Sequence, residues 1–324
     1  MKKALVTGGA GYIGHHLQKE LKKNGYYVIV MDRKHSSELM VTKYCDEYIC
    51  TDIRNYDHIL DEIEYGKMFD DDKFGFDIVY HLAGSIEVGE SEEIPTYYYE
   101  NNVSGTINIL RLMKEYGCKN IVFSSSCAAE YSESVYGRTK RMCENILADA
   151  NKEGINSAIL RYFNVAGADP DGEFGENHEP ESHLIPRILT RNDFTVYGND
   201  FPTPDGTCIR DYIHVSDLAE AHVKAAEFLN ENKTSSIFNL GSGSGYSVLD
   251  VITMVEEVTG INLEIKYSDR RPGDPAKLVC KDVEHSERVL GFKPKYSLKE
   301  IISTAYQWEA IQRRTPNATI GIRD

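Results

Sequence analysis

The opening residues carry the pattern that most limits what this chain can fold into. A short strand-forming run, Lys3-Ala4-Leu5-Val6-Thr7, passes directly into Gly8-Gly9-Ala10-Gly11-Tyr12-Ile13-Gly14, and an amphipathic helical pattern follows. Between a strand and a helix, glycines at 8, 11 and 14 have separate uses. One permits a tight turn, one lets the backbone approach a ligand, and one lets helix and strand pack closely. The start of such a helix turns N–H groups and the positive end of its dipole toward one point, which suits a pyrophosphate. Asp32 ends the second predicted strand, eighteen positions after Gly14. A carboxylate there accepts hydrogen bonds from an adenosine ribose and repels a 2′-phosphate, so the pattern predicts NAD over NADP. Arg33, the next residue, is the one feature that argues for a phosphate instead.

Strand patterns recur at 3–7, 26–31, 46–50, 77–82, 121–125 and 156–161, with helical patterns at 12–24, 55–64, 96–117 and 137–153 between them. Strands alternating with helices long enough to cross over predict an α/β fold with a doubly wound parallel sheet of Rossmann type. After Asn164 the texture changes to Gly-, Pro- and Asp-rich connections, with helical spacing in 216–230, 247–259 and 297–312 and strands at 237–240 and 263–267. A chain of 324 residues exceeds what one core usually organises. The expected division is a cofactor-binding domain of 1–164 with 209–232, and a smaller C-terminal α/β substrate domain of 165–208 with 233–324.

A net charge of −15 without clustered Lys or Arg excludes a general nucleic-acid binder. A bound anion then needs local positive groups. The seven cysteines are scattered and show no CxxC spacing, which predicts reduced thiols in a cytoplasmic protein rather than disulfides or a zinc site. No signal-peptide pattern opens the chain and no apolar run approaches bilayer length, so no membrane partner is expected. The acidic stretch 64–73 reads as a solvated excursion, and no metal site is expected.

Tyr136 and Lys140, in the run YGRTK, share one face of a predicted helix. An ammonium beside a phenol favours the phenolate, which makes such a tyrosine useful as an acid and base near neutral pH. That spacing is also common on solvated helices, so context matters. Phe123-Ser124-Ser125-Ser126 ends a predicted strand just before it, at the sheet edge where doubly wound folds bind ligands. The Ser126 hydroxyl there can meet a substrate hydroxyl, or serve as a turn cap.

With these residues assembled, the chain resembles the extended short-chain dehydrogenase/reductase family, and within it the 4-epimerases of UDP-hexoses. Besides TGGAGYIG, SSS and YGRTK, the resemblance rests on the runs beginning at His81 (HLAG), Val88 (VGES), Asn101 (NNVSGT), Arg161 (RYFNVAGA), His183 (HLIP), Tyr197 (YGNDFPTPDGT), Arg210 (RDYIHV) and Arg271 (RPGD). It implies an isomerase with tightly held NAD, interconverting UDP-glucose and UDP-galactose through a 4-keto sugar, and a homodimer. By the same resemblance, Tyr136 acts as acid and base on the 4-hydroxyl, Lys140 holds the nicotinamide ribose and tunes Tyr136, and Ser126 steadies the 4-oxygen. Gly8, Gly11, Tyr12, Ile13, Gly14, Asp32, Asp52, Ile53, Leu82, Ala83, Asn102 and Phe163 fall at cofactor positions. Asn164, His183, Leu184, Thr195, Val196, Tyr197, Arg210, Arg271 and Asp274 fall at positions for the UDP-sugar, and Leu278 at the position that gates the sugar 2-substituent.

The chain departs from the family in two places. Ser126 and Tyr136 are only ten positions apart, where family members carry a longer loop. Ten extended residues reach about 30 Å, so the trio can meet, with less cover over the site. Ile86 replaces a lysine that contacts the cofactor. A 4,6-dehydratase on the same scaffold needs an acidic pair where Cys127-Ala128 stands here. A protein that kept NAD and nucleotide sugar but lost catalysis is the reading prompted by the short segment.

Overall fold

Runs of buried apolar residues mark the strands of the first half, as a sheet covered on both faces requires. In chain order the computed structural model places β1 (Lys3–Thr7), β2 (Tyr27–Asp32), β3 (Glu47–Cys50), β4 (Ile78–His81), β5 (Asn120–Ser126), β6 (Asn156–Tyr162), β7 (Asn164–Ala166), β8 (Asp193–Tyr197), β9 (Ile209–His214), β10 (Ser236–Leu240), β11 (Gly245–Ser247), β12 (Glu264–Ser268) and β13 (Lys277–Leu278). The structure describes residues 1–34, 43–67, 74–177, 181–191, 193–271 and 273–314. Positions 68–73 of the acidic excursion lie outside them; its first four residues continue the helix Tyr56–Lys67.

Among the described residues the main sheet has seven strands in the order β10-β6-β5-β4-β1-β2-β3. The pairs β1·β2, β1·β4, β2·β3 and β4·β5 are parallel. The chain runs outward from β1 to β3 and then returns to β4, so the sheet reverses direction between β1 and β4. Ligands bind at such a switch point, beyond the carboxyl ends of the strands. Leu5, Ile29, Met31, Val79, Ile121 and Phe123 pack with Ile59, Leu112, Met113 and Leu147 in one core.

The helix expected at 96–117 is interrupted. It begins as Pro95–Tyr98, widens into a π-turn at Tyr99–Ser104 and resumes at Gly105–Glu115. Asn101 and Asn102, both buried, lie within this wider turn.

The chain divides into one unit of 1–161 with 219–238 and a second of 162–218 with 239–324. The sequence places 209–232 wholly in the first. Residues 209–218 instead fall in the second, because β9 pairs with β7, β11 and β13. A further pair, β8·β12, forms a separate two-stranded sheet in the second unit, which has its own core around Ile185, Val196, Tyr212, Ile252 and Ile302. No helix among the described residues is long and apolar enough to cross a membrane.

Candidate active site

Thr7 and His81 end neighbouring strands in register, and the site grows from these two ends. Gly8 has a φ of +69°, and a Cβ there would lie 2.6 Å from Ala83 N, so the turn and the loop after β4 close only on glycine. A Cβ on Gly14 would lie 2.6 Å from Gly8 O. Gly11 differs: its Cβ would meet only Gly8 O, at 3.4 Å. The protein leaves that position open, which is what close approach of a ligand requires. Gly11 is also the N-cap of the helix Tyr12–Lys23, which has no side-chain cap and no acid in its first turn. Tyr12 is buried and Ile13 half-buried on that turn.

Asp32 Oδ2 accepts from Ala10 N at 3.0 Å and Oδ1 from Lys34 N at 3.1 Å, which ties the glycine turn to the end of β2. Burial raises its carboxyl pKa, while each oxygen keeps acceptor capacity for a ribose. Arg33 Nη1 donates to Tyr97 Oη at 2.8 Å, so the residue that argued for a phosphate is engaged by a phenol. Asp52 pairs with Arg54 at 2.6 Å; burial works against its charge, but the Arg54 side-chain and backbone bonds outweigh it and hold the pKa low. Ile53 is buried, and its carbonyl accepts from Asn108 Nδ2 at 2.9 Å. An open glycine at an uncapped helix start, with a carboxylate on the next strand, fits a dinucleotide.

The loop after β4 joins this cradle to the proposed chemistry. Leu82 N donates to Thr7 O at 3.1 Å and Ala83 N to Thr7 Oγ1 at 3.3 Å. A Cβ on Gly84 would lie 3.1 Å from Asn102 Oδ1 and 3.4 Å from Lys140 Nζ. Asn102 Oδ1 accepts from Ser85 N, and its Nδ2 donates to Ser85 O and Thr139 Oγ1. Lys140 is 4% exposed, donates from Nζ to Ser124 O at 2.9 Å, and lies 5.9 Å from the centre of the Tyr136 ring. Burial lowers its pKa. One turn further, Glu144 forms a buried, two-point ion pair with Arg161, at 2.8 and 2.6 Å, and accepts from Ser125 Oγ.

The short segment before Tyr136 is not extended. It forms a helical turn, Ala128–Tyr131, followed by Ser132 at φ 55° and Ser134 as N-cap of the helix Val135–Ala150. Ser126 Oγ accepts from Ala128 N at 3.2 Å, so its capping role is real, and its own proton remains available to an acceptor. A Cβ on Gly137 would lie 2.6 Å from Ala128 O. Ser126 and the start of the tyrosine helix are therefore drawn together through Ala128, and Gly137 is what permits it.

Sequence reasoning missed a buried relay behind this site. Ala83 N donates to Thr7 Oγ1, which lies 2.6 Å from His81 Nδ1; His81 Nε2 lies 3.0 Å from Thr106 Oγ1, which donates to Asn102 O at 2.7 Å. Both threonine protons have acceptors only if His81 is the neutral Nε2–H tautomer. Burial, with the Lys140 charge second, lowers the His81 pKa to about 3. The HLAG run was visible in the sequence, but nothing there showed which hydroxyls its histidine would meet.

The second unit holds the other predicted residues. Arg210 Nη2 pairs with Asp274 at 3.0 Å and its Nη1 donates to Pro275 O at 2.9 Å; Leu278, half-buried, is the strand neighbour of Arg210. The Arg271 guanidinium lies 4.2 Å from the centre of the Tyr197 ring, on the strand that also carries Thr195 and buried Val196. His183 is the N-cap of the helix that Leu184 begins, and its Nδ1 bonds Glu176 Oε1. Phe163 is half-buried just ahead of β7, and exposed Asn164 opens that strand.

A parallel sheet with an open glycine turn at its switch point, and a buried lysine one helical turn from a tyrosine, define a dinucleotide-dependent protein of short-chain dehydrogenase type. Residues 4–241 match the family model described as the NAD dependent epimerase/dehydratase family. The chain is 43% identical to a UDP-glucose 4-epimerase of Halalkalibacterium halodurans, with 94% of each chain covered. It is similar to the crystal structure of UDP-glucose-4-epimerase from Stenotrophomonas maltophila with bound NAD and formylated UDP-arabinopyranose, at TM-score 0.88 and 34% identity, covering 97% of this chain and 100% of that one. It is similar also to the Brucella ovis enzyme in complex with NAD, at TM-score 0.85 and 39% identity over 94% and 98%. The chain belongs to the NAD dependent epimerase/dehydratase family.

Proposed function

We propose that this protein is an NAD-dependent 4-epimerase that interconverts UDP-glucose and UDP-galactose. The observation that carries the reading is the buried Lys140 ammonium, held by Ser124 O beneath Tyr136 and beside the loop that closes on the glycine turn. When bound, NAD supplies the acceptor for the hydrogen on C4 of the sugar and the source of its return to the opposite face. Tyr136 takes the proton of the 4-hydroxyl and gives it back. Lys140 supports the charge on Tyr136 and reaches the cofactor ribose. Ser126 donates to the 4-oxygen, where charge develops.

Asp32 and the helix start at Gly11 would hold the adenosine and pyrophosphate ends of the cofactor. Arg210 and Arg271 supply the positive charge that an acidic chain needs for a diphosphate. Anchoring through UDP, remote from the reacting carbon, leaves the sugar free to turn. Leu278, neither small nor aromatic, does not by itself choose between hexoses and their N-acetyl forms. Cys127 and Ala128, where a dehydratase needs acids, speak against elimination. Family resemblance supports a homodimer acting in the cytoplasm.

Incubating the purified protein with UDP-galactose, without added NAD, and following the anomeric protons by NMR tests the reading. UDP-glucose is the expected product. A 4-keto-6-deoxy sugar would mean dehydration, and no change with UDP-hexoses or their N-acetyl forms would reduce the protein to a binder.

A further inference from the structure

The helix Val135–Ala150 carries both Tyr136 and Lys140, but the two are not held alike. Lys140 is fixed from below by Ser124 O. Tyr136 is the second residue of the helix, in the turn whose N–H groups have no intrahelical acceptor. The side chain of its own cap, Ser134, takes Gly137 N, at 3.0 Å. The two donors ahead of that go to a distant segment, the short helix Val88–Glu93. Val135 N donates to Glu92 Oε1 at 2.6 Å, and Tyr136 N donates to Ser91 Oγ at 3.1 Å. Ser91 is fully buried and passes its own proton to Val88 O at 2.6 Å, so its oxygen faces Tyr136 N as an acceptor. The same segment receives Tyr98 Oη at Glu90, 2.7 Å away, and Tyr98 packs with Val135 and Tyr136.

We propose that Ser91 and Glu92 are positioning residues for Tyr136, capping from outside the helix turn that carries it and so fixing its phenol relative to Lys140. The inference rests on the epimerase reading above. Neither residue needs to touch substrate. The segment just before the helix packs on it at Ala128 and Gly137 but leaves Val135 N and Tyr136 N to acceptors on Val88–Glu93. Removing them loosens the first turn while Lys140 stays locked one turn on. The distance between acid/base and ammonium then varies, and misplacement on that scale lowers turnover more than binding.

Steady-state conversion of UDP-galactose by the full-length holoenzyme, with thermal unfolding of each variant recorded alongside, tests this. Ser91→Ala should lower kcat about tenfold and Glu92→Ala about threefold, with KM within about twofold of wild type, since the UDP anchor is untouched. Glu92→Gln keeps an oxygen acceptor for Val135 N and should restore kcat to within about twofold. Wild-type kcat in both alanine variants, whatever their unfolding temperature, would overturn the positioning role, and so would a Glu92→Gln enzyme as slow as Glu92→Ala. An inactive wild type would instead overturn the epimerase reading itself.

Discussion

Buried Lys140 in the first unit and exposed Arg271 in the second are held in opposite ways. In the first, Asp32, Asn102 and Lys140 are tied by protein hydrogen bonds, and the glycines at 8 and 14 are demanded by neighbouring backbone. In the second, Arg271 lies exposed on a tyrosine ring and Arg210 shares its guanidinium with Asp274. Under the proposed function the difference fits two tasks. Proton transfer needs reacting groups fixed to a fraction of an ångström, which only packing and a full set of hydrogen bonds provide. A diphosphate handle needs charge and reach, and a sugar that must turn over gains nothing from a rigid grip.

Substitutions sharpen that contrast, beginning with the largest effect. Tyr136→Phe should lower turnover at least about 100-fold while the protein still purifies with NAD, because the phenol proton is lost and the cradle is not. Full activity in this variant would remove Tyr136 from the chemistry. The glycines should separate next. Gly8→Ala combines a left-handed φ with a clash against Ala83 and should cost about 1–3 kcal/mol of stability. Gly11→Ala should match the unfolding temperature of wild type when both are stripped of NAD, and yet purify with little NAD, measured as cofactor released per protein on denaturation. Equal behaviour of the two would mean that Gly11 serves the fold alone. In the second unit, Arg210→Ala should raise KM for UDP-galactose about tenfold with kcat within about twofold, the pattern of a binding contact. A loss confined to kcat would break the proposed division of labour.

A separate effect, read in folding rather than in turnover, is a pH dependence from His81. Its folded pKa, about 3, lies below its ordinary 6.5, so between these values the unfolded chain binds the extra proton. The stability it contributes is present above about pH 6.5 and is lost as pH falls toward 3, by up to about 1.4 kcal/mol per pH unit. Urea midpoints at pH 7 and pH 5 should differ less in His81→Asn than in wild type. Identical differences would mean that His81 titrates alike in both states.

Much of the first unit was legible because its signals are local. A strand, three glycines and Asp32 fall within one βαβ unit, and each element's period is written in its own residues. The tyrosine–lysine pair was legible for the same reason. What escaped depends on contacts across many residues. The π-turn at Tyr99–Ser104 interrupts an otherwise continuous helical period, which the sequence pattern does not show. The His81 relay joins Thr7, Thr106 and Asn102, and the caps at Ser91 and Glu92 come from more than forty positions away. The strand Ile209–His214 went unpredicted because its apolar residues do not alternate, and its partners are scattered through the second unit. The segment between Ser126 and Tyr136 is the clearest lesson: its residue count gave only an upper limit on its reach, and Gly137 allows the helix to pack directly on Ala128.

The central claim is that the first unit removes the hydrogen at C4 of a UDP-hexose and returns the same atom to the other face. UDP-galactose deuterated at C4, converted by the purified protein in ordinary water and analysed by mass spectrometry, tests it most directly. The account predicts UDP-glucose that keeps the deuterium at C4. Product whose C4 carries hydrogen from the solvent would contradict it.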